Sequence, residues 1–357
     1  MTGIAEQRLF SQQVATTRLK QPGDVVSWMG AIQAQDYGGA KWSIGLRLRK
    51  TTEQEVEQAI SDAKILRTWA MRGTLHFVEP KDIRWMLELL APRIIANNAR
   101  RYKELELDER TFARGNDAIA KALQGGNQLD RPQLVAVLEK HGISAAGQRT
   151  PYLLQRAALE RLICQGVMRG KNPTFFLLDE LIPKPRPLTR EEALAELALR
   201  YFTSRGPATI RDYTWWSELS PADANIGLDS VKSKLTQEST EGRVTWLSRS
   251  RKKAATTPIT AYLLPGFDEY LLSYQDRSAS MDVKRLRTLT PSNGMLPPTL
   301  VINGRVAGTW KRTLKKDRAV IALKPFTLLS AAEQRGAVTA AAHRYGDFLE
   351  MAVELKW

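Results

Sequence analysis

Apolar residues recur at helical spacing in some segments of the chain and alternate with polar ones in others. Between Asp24 and Ile32, Val25, Trp28, Met29 and Ile32 form one helical stripe, and TTEQEVEQAISDA supplies a second helix. KILRTWAM and GTLHFVEP alternate and predict a hairpin turning at Met71-Arg72-Gly73, before a helix from about Lys81. Further on, DRPQLVAVLEKHG reads as a helix with Pro132 near its start, and PYLLQRAALERLICQG as a longer one. GVMRG and TFFLLDE, turning through Asn172-Pro173, predict a ribbon.

The alternating prolines of LIPKPRPLT, Leu181 to Thr189, favour an extended linker and mark a domain boundary. Thr189 and Glu192 then form a capping box that opens a helix through about Phe202, with Leu194, Leu197, Ala198 and Tyr201 at helical spacing. RGPATIRDYTWWS predicts a turn and a short helix, and in SPADANIGLDSVKSKL Ser220 caps a third, with Pro221 at its first position. GRVTWLS and ITAYLLP read as the two strands of a following ribbon. Three helices and a ribbon make the winged-helix plan. The same plan recurs twice upstream without residue-level repetition. TLVINGRVAGTWKRTLKKDRAVIALKPF is β-rich, with Val301, Val306, Trp310, Val320 and Ala322 in alternation, and a helix from about Ala331 to Leu349 closes the chain. The expected fold is α+β: three tandem winged-helix domains over residues 1–110, 111–182 and 189–357, the last with a small β-rich extension.

Composition narrows the function. The 357 residues are 43% hydrophobic and 25% charged, as in a globular protein with a sizeable core. MTGIAEQRLFSQQ lacks a secretory pattern and no apolar run is long enough to span a bilayer, so the expected location is the bacterial cytoplasm, at the nucleoid. A single cysteine, Cys164, excludes an intrachain disulfide, and His76, His141 and His343 lie too far apart to predict a metal site. Phosphate-loop, dinucleotide-binding and serine-elbow motifs are missing, and no cofactor is expected. Fifty-three Lys and Arg against 38 Asp and Glu leave a net charge of +15. That excess favours a polyanionic partner, nucleic acid being the commonest, although a generally basic surface has the same composition.

The candidate chemistry lies in AIQAQD, Ala31 to Asp36, followed by Tyr37-Gly38-Gly39. In a continuing helix Gln33 and Gln35 point to nearly opposite sides. If the helix stops near Ile32, as Gly38-Gly39 would allow, they share one face of an extended segment. Two amides on one face can hold one water or one sugar between them; a capped helix end is the plainer reading. Asp36 is a stronger base, but one position on it faces away from the pair, and a structural role is expected.

LFSQQ, VVSWMGAIQAQDYGGAKWSIGLRLR, LRTWAMRGTLHFVEPKD, LLPGFDEYLLSYQDR and VINGRVAGTWKR together resemble the AlkZ/YcaQ family of bacterial DNA glycosylases. The resemblance covers nearly the whole chain. It implies tandem winged-helix domains, C-shaped around a basic channel, and a catalytic Gln-x-Gln or Gln-x-Asp motif that falls on Gln33 and Gln35. The Gln-x-Gln form is similar to the AlkZ branch. An N7-alkylated purine already carries positive charge and leaves neutral without a general acid. The implied task is therefore to orient water at C1′ and support an oxocarbenium-like sugar. No Schiff-base lysine is expected at the motif, Lys41 being assigned to another segment, so the implied enzyme is monofunctional and acts on duplex DNA as a monomer. Bulky adducts and interstrand crosslinks are candidate substrates.

Expected DNA contacts are Arg72 at the hairpin turn, His76 on the following strand, and Arg100 and Arg101 on a helix. Lys252 and Lys253 lie in a candidate wing; Lys311, Arg312, Lys315 and Lys316 surround an expected β-turn. His76 fits equally a hydrogen-bonded core position. Trp28, Trp42, Trp215 and Trp216 are expected in the core. The competing function is a non-catalytic winged-helix DNA-binding regulator or architectural protein.

Overall fold

A computed structural model describes residues 3–182, 184, 186–240, 242–249, 259–282, 284–285, 289, 296–329 and 332–357. The fold is α+β, and its contacts separate two compact units, Met1–Val56 with Leu194–Trp357, and Glu57–Ala193.

In the Glu57–Ala193 unit the strands run Thr74–Val78, Leu66–Met71, Ile163–Arg169, Asn172–Leu177 and Leu129–Asp130 across an antiparallel sheet. Arg72 and Gly73 take φ of 53° and 64°, the left-handed pair that a tight hairpin turn requires. Helices Ile83–Glu104, Glu109–Leu123, Arg131–Lys140 and Arg149–Leu159 supply the other layer. Their apolar faces meet around Phe112, Leu134, Leu138, Leu153 and Phe175, with Tyr102 edge-on to Phe112 at 4.9 Å. The expected long helix over PYLLQRAALERLICQG ends at Leu159; Arg161 turns left-handed at φ 65°, and Ile163-Cys164-Gln165 begin a strand. An apolar run that is buried in both states does not reveal where helix gives way to sheet.

The helix Arg190–Arg205 opens on the Thr189–Glu192 capping box, which is formed in both directions, and in the other unit helices Ile210–Ser217 and Pro221–Val231 follow it in the chain. The ribbon differs from expectation. Arg243–Ser248 pairs with Leu235–Thr240, whereas Ala261–Leu264 joins a separate five-stranded sheet. LTQEST carries only one large apolar residue, so its strand character comes from pairing rather than from its own pattern. The five-stranded sheet runs Ala352–Lys356, Arg318–Pro325, Arg305–Leu314, Thr299–Ile302, Ala261–Leu264. Its one parallel pair, Arg318–Pro325 with Ala352–Lys356, is made possible by the crossover helix Ala332–Leu349. Among the described residues no helix is long and apolar enough to cross a membrane.

Packing against this sheet fixes the helix Tyr37–Gly45. Trp42 donates its indole N–H to the Leu263 carbonyl at 2.7 Å, and Trp310 donates to Leu264 at 2.8 Å. Tyr345 stands edge-on to both rings, at 4.9 and 5.2 Å. Trp42 and Trp216 are core residues as expected, but Trp215 is 46% exposed. The helix approaches so closely that a methyl group at Gly45 would stand 2.6 Å from the buried Phe348 ring. Gly→Ala in a helix ordinarily stabilises by about 1 kcal/mol. Here Gly45→Ala is expected to destabilise by about 1–3 kcal/mol, as overpacking does, and urea unfolding at constant m-value checks the sign.

Candidate active site

The stretch around Gln33 and Gln35 is built by two terminations and a new start. The helix Pro22–Met29 stops at Gly30, whose φ of 71° is open to glycine and strained for other residues. A short strand, Ala31–Gln33, follows at once. The helix thus ends three residues earlier than Ile32, and Gly30 stops it; Gly38-Gly39 instead open the next helix, Tyr37–Gly45. Gln33 closes the strand and is 9% exposed, whereas Gln35 is exposed in the bend beyond it.

Asp36 caps the helix: its Oδ1 accepts the Gly39 N–H at 3.1 Å. A side chain at Gly39 would meet Asp36 Oδ2 at 2.5 Å, so glycine there keeps the cap in place. The structural role expected for Asp36 is the one it fills. Arg312 lies against the same turn, since a methyl group at Gly38 would stand 2.7 Å from its Nη2. Its Nη1 donates to the Tyr345 hydroxyl at 2.5 Å. Burial opposes the Arg312 charge, but Tyr345, Asp36 and Glu53 outweigh it and raise its pKa. Lys41 belongs to a separate segment, the helix directly after the motif; it is paired with Glu53 at 3.0 Å and lies 4.9 Å from the Tyr37 ring centre.

Two buried ion pairs hold the flanks of the motif. On the downstream side Asp268 takes Arg47 in a two-pronged contact, 2.9 Å to each oxygen, and also accepts Ser43 Oγ at 2.7 Å. On the upstream side Glu269, fully buried, accepts the Gln33 backbone N–H at 3.0 Å. The other Glu269 oxygen takes Arg205 Nη2 and Trp216 Nε1 at 3.0 Å and Ser273 Oγ at 2.6 Å. None of these four charged residues was singled out from the sequence. The signal was available in LLPGFDEYLLSY, where two adjacent acids interrupt an apolar run and so require buried partners.

Lys311, Lys315 and Lys316 are exposed on the hairpin formed by Arg305–Leu314 and Arg318–Pro325. Lys252 and Lys253 lie outside the described residues. In the Glu57–Ala193 unit His76 is buried: its Nδ1 is 2.9 Å from the Thr74 carbonyl and its Nε2 is 3.3 Å from Arg72 Nη2. A carbonyl accepts and a guanidinium donates, so the ring carries its proton on Nδ1. Arg100 and Arg101 both bridge to Glu104, at 3.0 and 2.7 Å, which offsets part of their charge.

A family model described as DNA glycosylase AlkZ-like matches residues 26–348. The chain belongs to the AlkZ-like DNA glycosylase family. A relative from Streptomyces sahachiroi, named an interstrand DNA cross-link repair glycosylase, is 28% identical over 310 residues, which span 81% of each chain. The solved structure of Streptomyces sahachiroi DNA glycosylase AlkZ superposes with a TM-score of 0.81 at 23% identity. It covers 99% of this chain and 98% of that one, and at this identity the likeness establishes the fold. This glycosylase therefore carries Gln33, Gln35 and Asp36 at the outlet of a strand fixed from both flanks.

If Asp36 is a cap and not a base, replacing its charge should matter less than removing its acceptor. Asp36→Asn is expected to keep both stability and base release, because asparagine caps as well as aspartate. Asp36→Ala should lose about 1 kcal/mol of stability. Urea titration beside single-turnover base release reads both, and a silent Asn variant excludes a proton-abstracting role.

Proposed function

We propose that the chain is a monofunctional DNA glycosylase that excises cationic, N7-substituted purines, with Gln33 and Gln35 as its catalytic pair. The observation that carries this reading is the rigidly held, largely buried Gln33 beside the exposed Gln35 in a motif whose carboxylate, Asp36, is occupied as a cap. Uncharged carboxamides suit a substrate that already bears its positive charge. The bond from C1′ to the purine N9 breaks, and its electron pair neutralises the N7-alkylated ring. A water oriented by the carboxamide oxygens bonds to C1′ and gives up a proton to solvent. Oriented dipoles stabilise the developing oxocarbenium ion without deprotonating water beforehand. Such weak assistance favours destabilised lesions over normal bases. The pairing of Lys41 with Glu53 supports a route without a Schiff base.

The relative's name extends the substrate class to interstrand crosslinks in duplex DNA. We further read the chain as tandem winged-helix domains over residues 1–110, 111–182 and 189–357. Two runs of three helices and a ribbon support that plan: Glu109–Leu123 through Asn172–Leu177, and Arg190–Arg205 through Arg243–Ser248. In this reading a monomer grips phosphates through Arg72, Arg100, Arg101, Lys252, Lys253, Lys311, Lys315 and Lys316, whereas the buried His76 and the half-buried Arg312 hold their own hairpin and turn. The exposure of Lys315 and Lys316 at a hairpin tip supports that role most directly.

Incubation with duplex DNA containing N7-methylguanine, followed by chromatography of the free base, tests the chemistry. Base release is expected from the parent protein, with Gln33→Ala and Gln35→Ala each slower by about 100-fold while duplex affinity is retained. Sequence-selective binding without release would identify a regulator instead.

Each phosphate contact contributes about 0.9 to the slope of log affinity against log salt. The double variant Lys315→Ala, Lys316→Ala should flatten that slope by about 2, as read by a salt titration of duplex binding.

A further inference from the structure

The strand Ala31–Gln33 has one backbone edge occupied by side chains. Arg205 has five N–H groups, and every one is used. Nε donates to Ser273 Oγ at 2.7 Å; Nη1 donates to the Met29 carbonyl at 2.7 Å and to Ser204 Oγ at 2.8 Å. Nη2 donates at 3.0 Å to both the Ala31 carbonyl and Glu269 Oε2. Glu269 Oε1 then accepts the Gln33 N–H. Ala31 and Gln33 are alternate residues of the strand, so their polar groups leave by one edge, and the same guanidinium also takes the Met29 carbonyl at the end of the preceding helix. The partners of these three groups, two carbonyls and one N–H, are a guanidinium and a carboxylate, both 0% exposed.

We infer that Arg205 and Glu269 are positioning residues, a charged surrogate for a neighbouring strand that sets the direction from which the Gln33 carboxamide meets the sugar. This rests on the catalytic reading of Gln33. A sheet neighbour would donate and accept at fixed repeat along its whole length. The ion pair does so at three groups only, the last of them at Gln33, two residues before the bend at Gln35. Because the two charges cancel within the pair, they fix geometry without adding net charge beside the oxocarbenium ion. Ser273 ties the two together, accepting from Arg205 and donating to Glu269.

The test uses the full chain and N7-methylguanine duplex under single-turnover conditions, with duplex affinity and thermal unfolding measured on each variant. Arg205→Lys keeps the charge but cannot reach both carbonyls, and is expected to slow base release by about 100-fold, the scale set by small misplacements, at unchanged affinity. Ser273→Ala, which leaves both charges in place, is a milder variant and should slow it by about 10-fold on the same argument. The decisive comparison is the double variant Gln33→Ala, Arg205→Lys. If Arg205 acts through Gln33, the double variant is no slower than Gln33→Ala alone. A merely structural loss would multiply with the Gln33 effect and overturn the proposal, as would full activity in both Arg205→Lys and Ser273→Ala. Full activity in Gln33→Ala would remove the catalytic reading and this inference with it. An impaired Gln33→Ala beside unimpaired Arg205→Lys and Ser273→Ala would remove this inference alone.

Discussion

The arrangement around the Gln-x-Gln motif depends on a guanidinium and a carboxylate kept out of water together. Taking either ion into the interior costs several kcal/mol even after relaxation, and removing one partner typically destabilises by about 3–5 kcal/mol. Arg205 and Glu269 offset that cost through saturation: every N–H of the arginine has an acceptor, and the carboxylate takes four donors. What the interaction secures is shape. A three-residue strand is too short to define its own direction, yet the chain leaving Gln33 must follow one path.

Asp268 and Glu269, adjacent in sequence, serve opposite flanks of that path. Glu269 governs the strand before the glutamines, and Asp268, through Arg47 and Ser43, governs the helix after them. The helix is further registered by Trp42 on the Leu263 carbonyl and by the close passage of Gly45 under Phe348. Between these supports Gln35 and Asp36 are exposed. This division, with charge buried in the scaffold and neutral amides at the outlet, suits chemistry whose cation is supplied by the substrate.

The same division explains why basic residues read differently in three dimensions. Arg312, which composition assigns to a phosphate grip, is half-buried against Gly38 and Tyr345, where it supports the turn of the motif. Lys315 and Lys316, only three and four positions on, reach solvent at the hairpin tip. Arg100 and Arg101 share a glutamate. A run of cations is uniform in sequence and heterogeneous in environment.

Local signals carried much of the fold: the Thr189–Glu192 capping box, Ser220 with Pro221, and the hairpin turn at Arg72-Gly73 were legible because each acts within a few residues. Three features were not. The strand Leu235–Thr240 lacks an apolar pattern of its own and is set by its hairpin partner Arg243–Ser248, and the short strand Ala352–Lys356 is set by Arg318–Pro325, a whole helix away in the chain. The stop at Gly30 was credited to Gly38-Gly39, since a lone glycine does not announce its φ. The Arg205–Glu269 and Arg47–Asp268 pairs join residues 64 and 221 positions apart. The sequence by itself determined which groups must be buried and paired; only the tertiary structure decided with whom, because a buried charge specifies that it needs a partner and not where along the chain the partner lies.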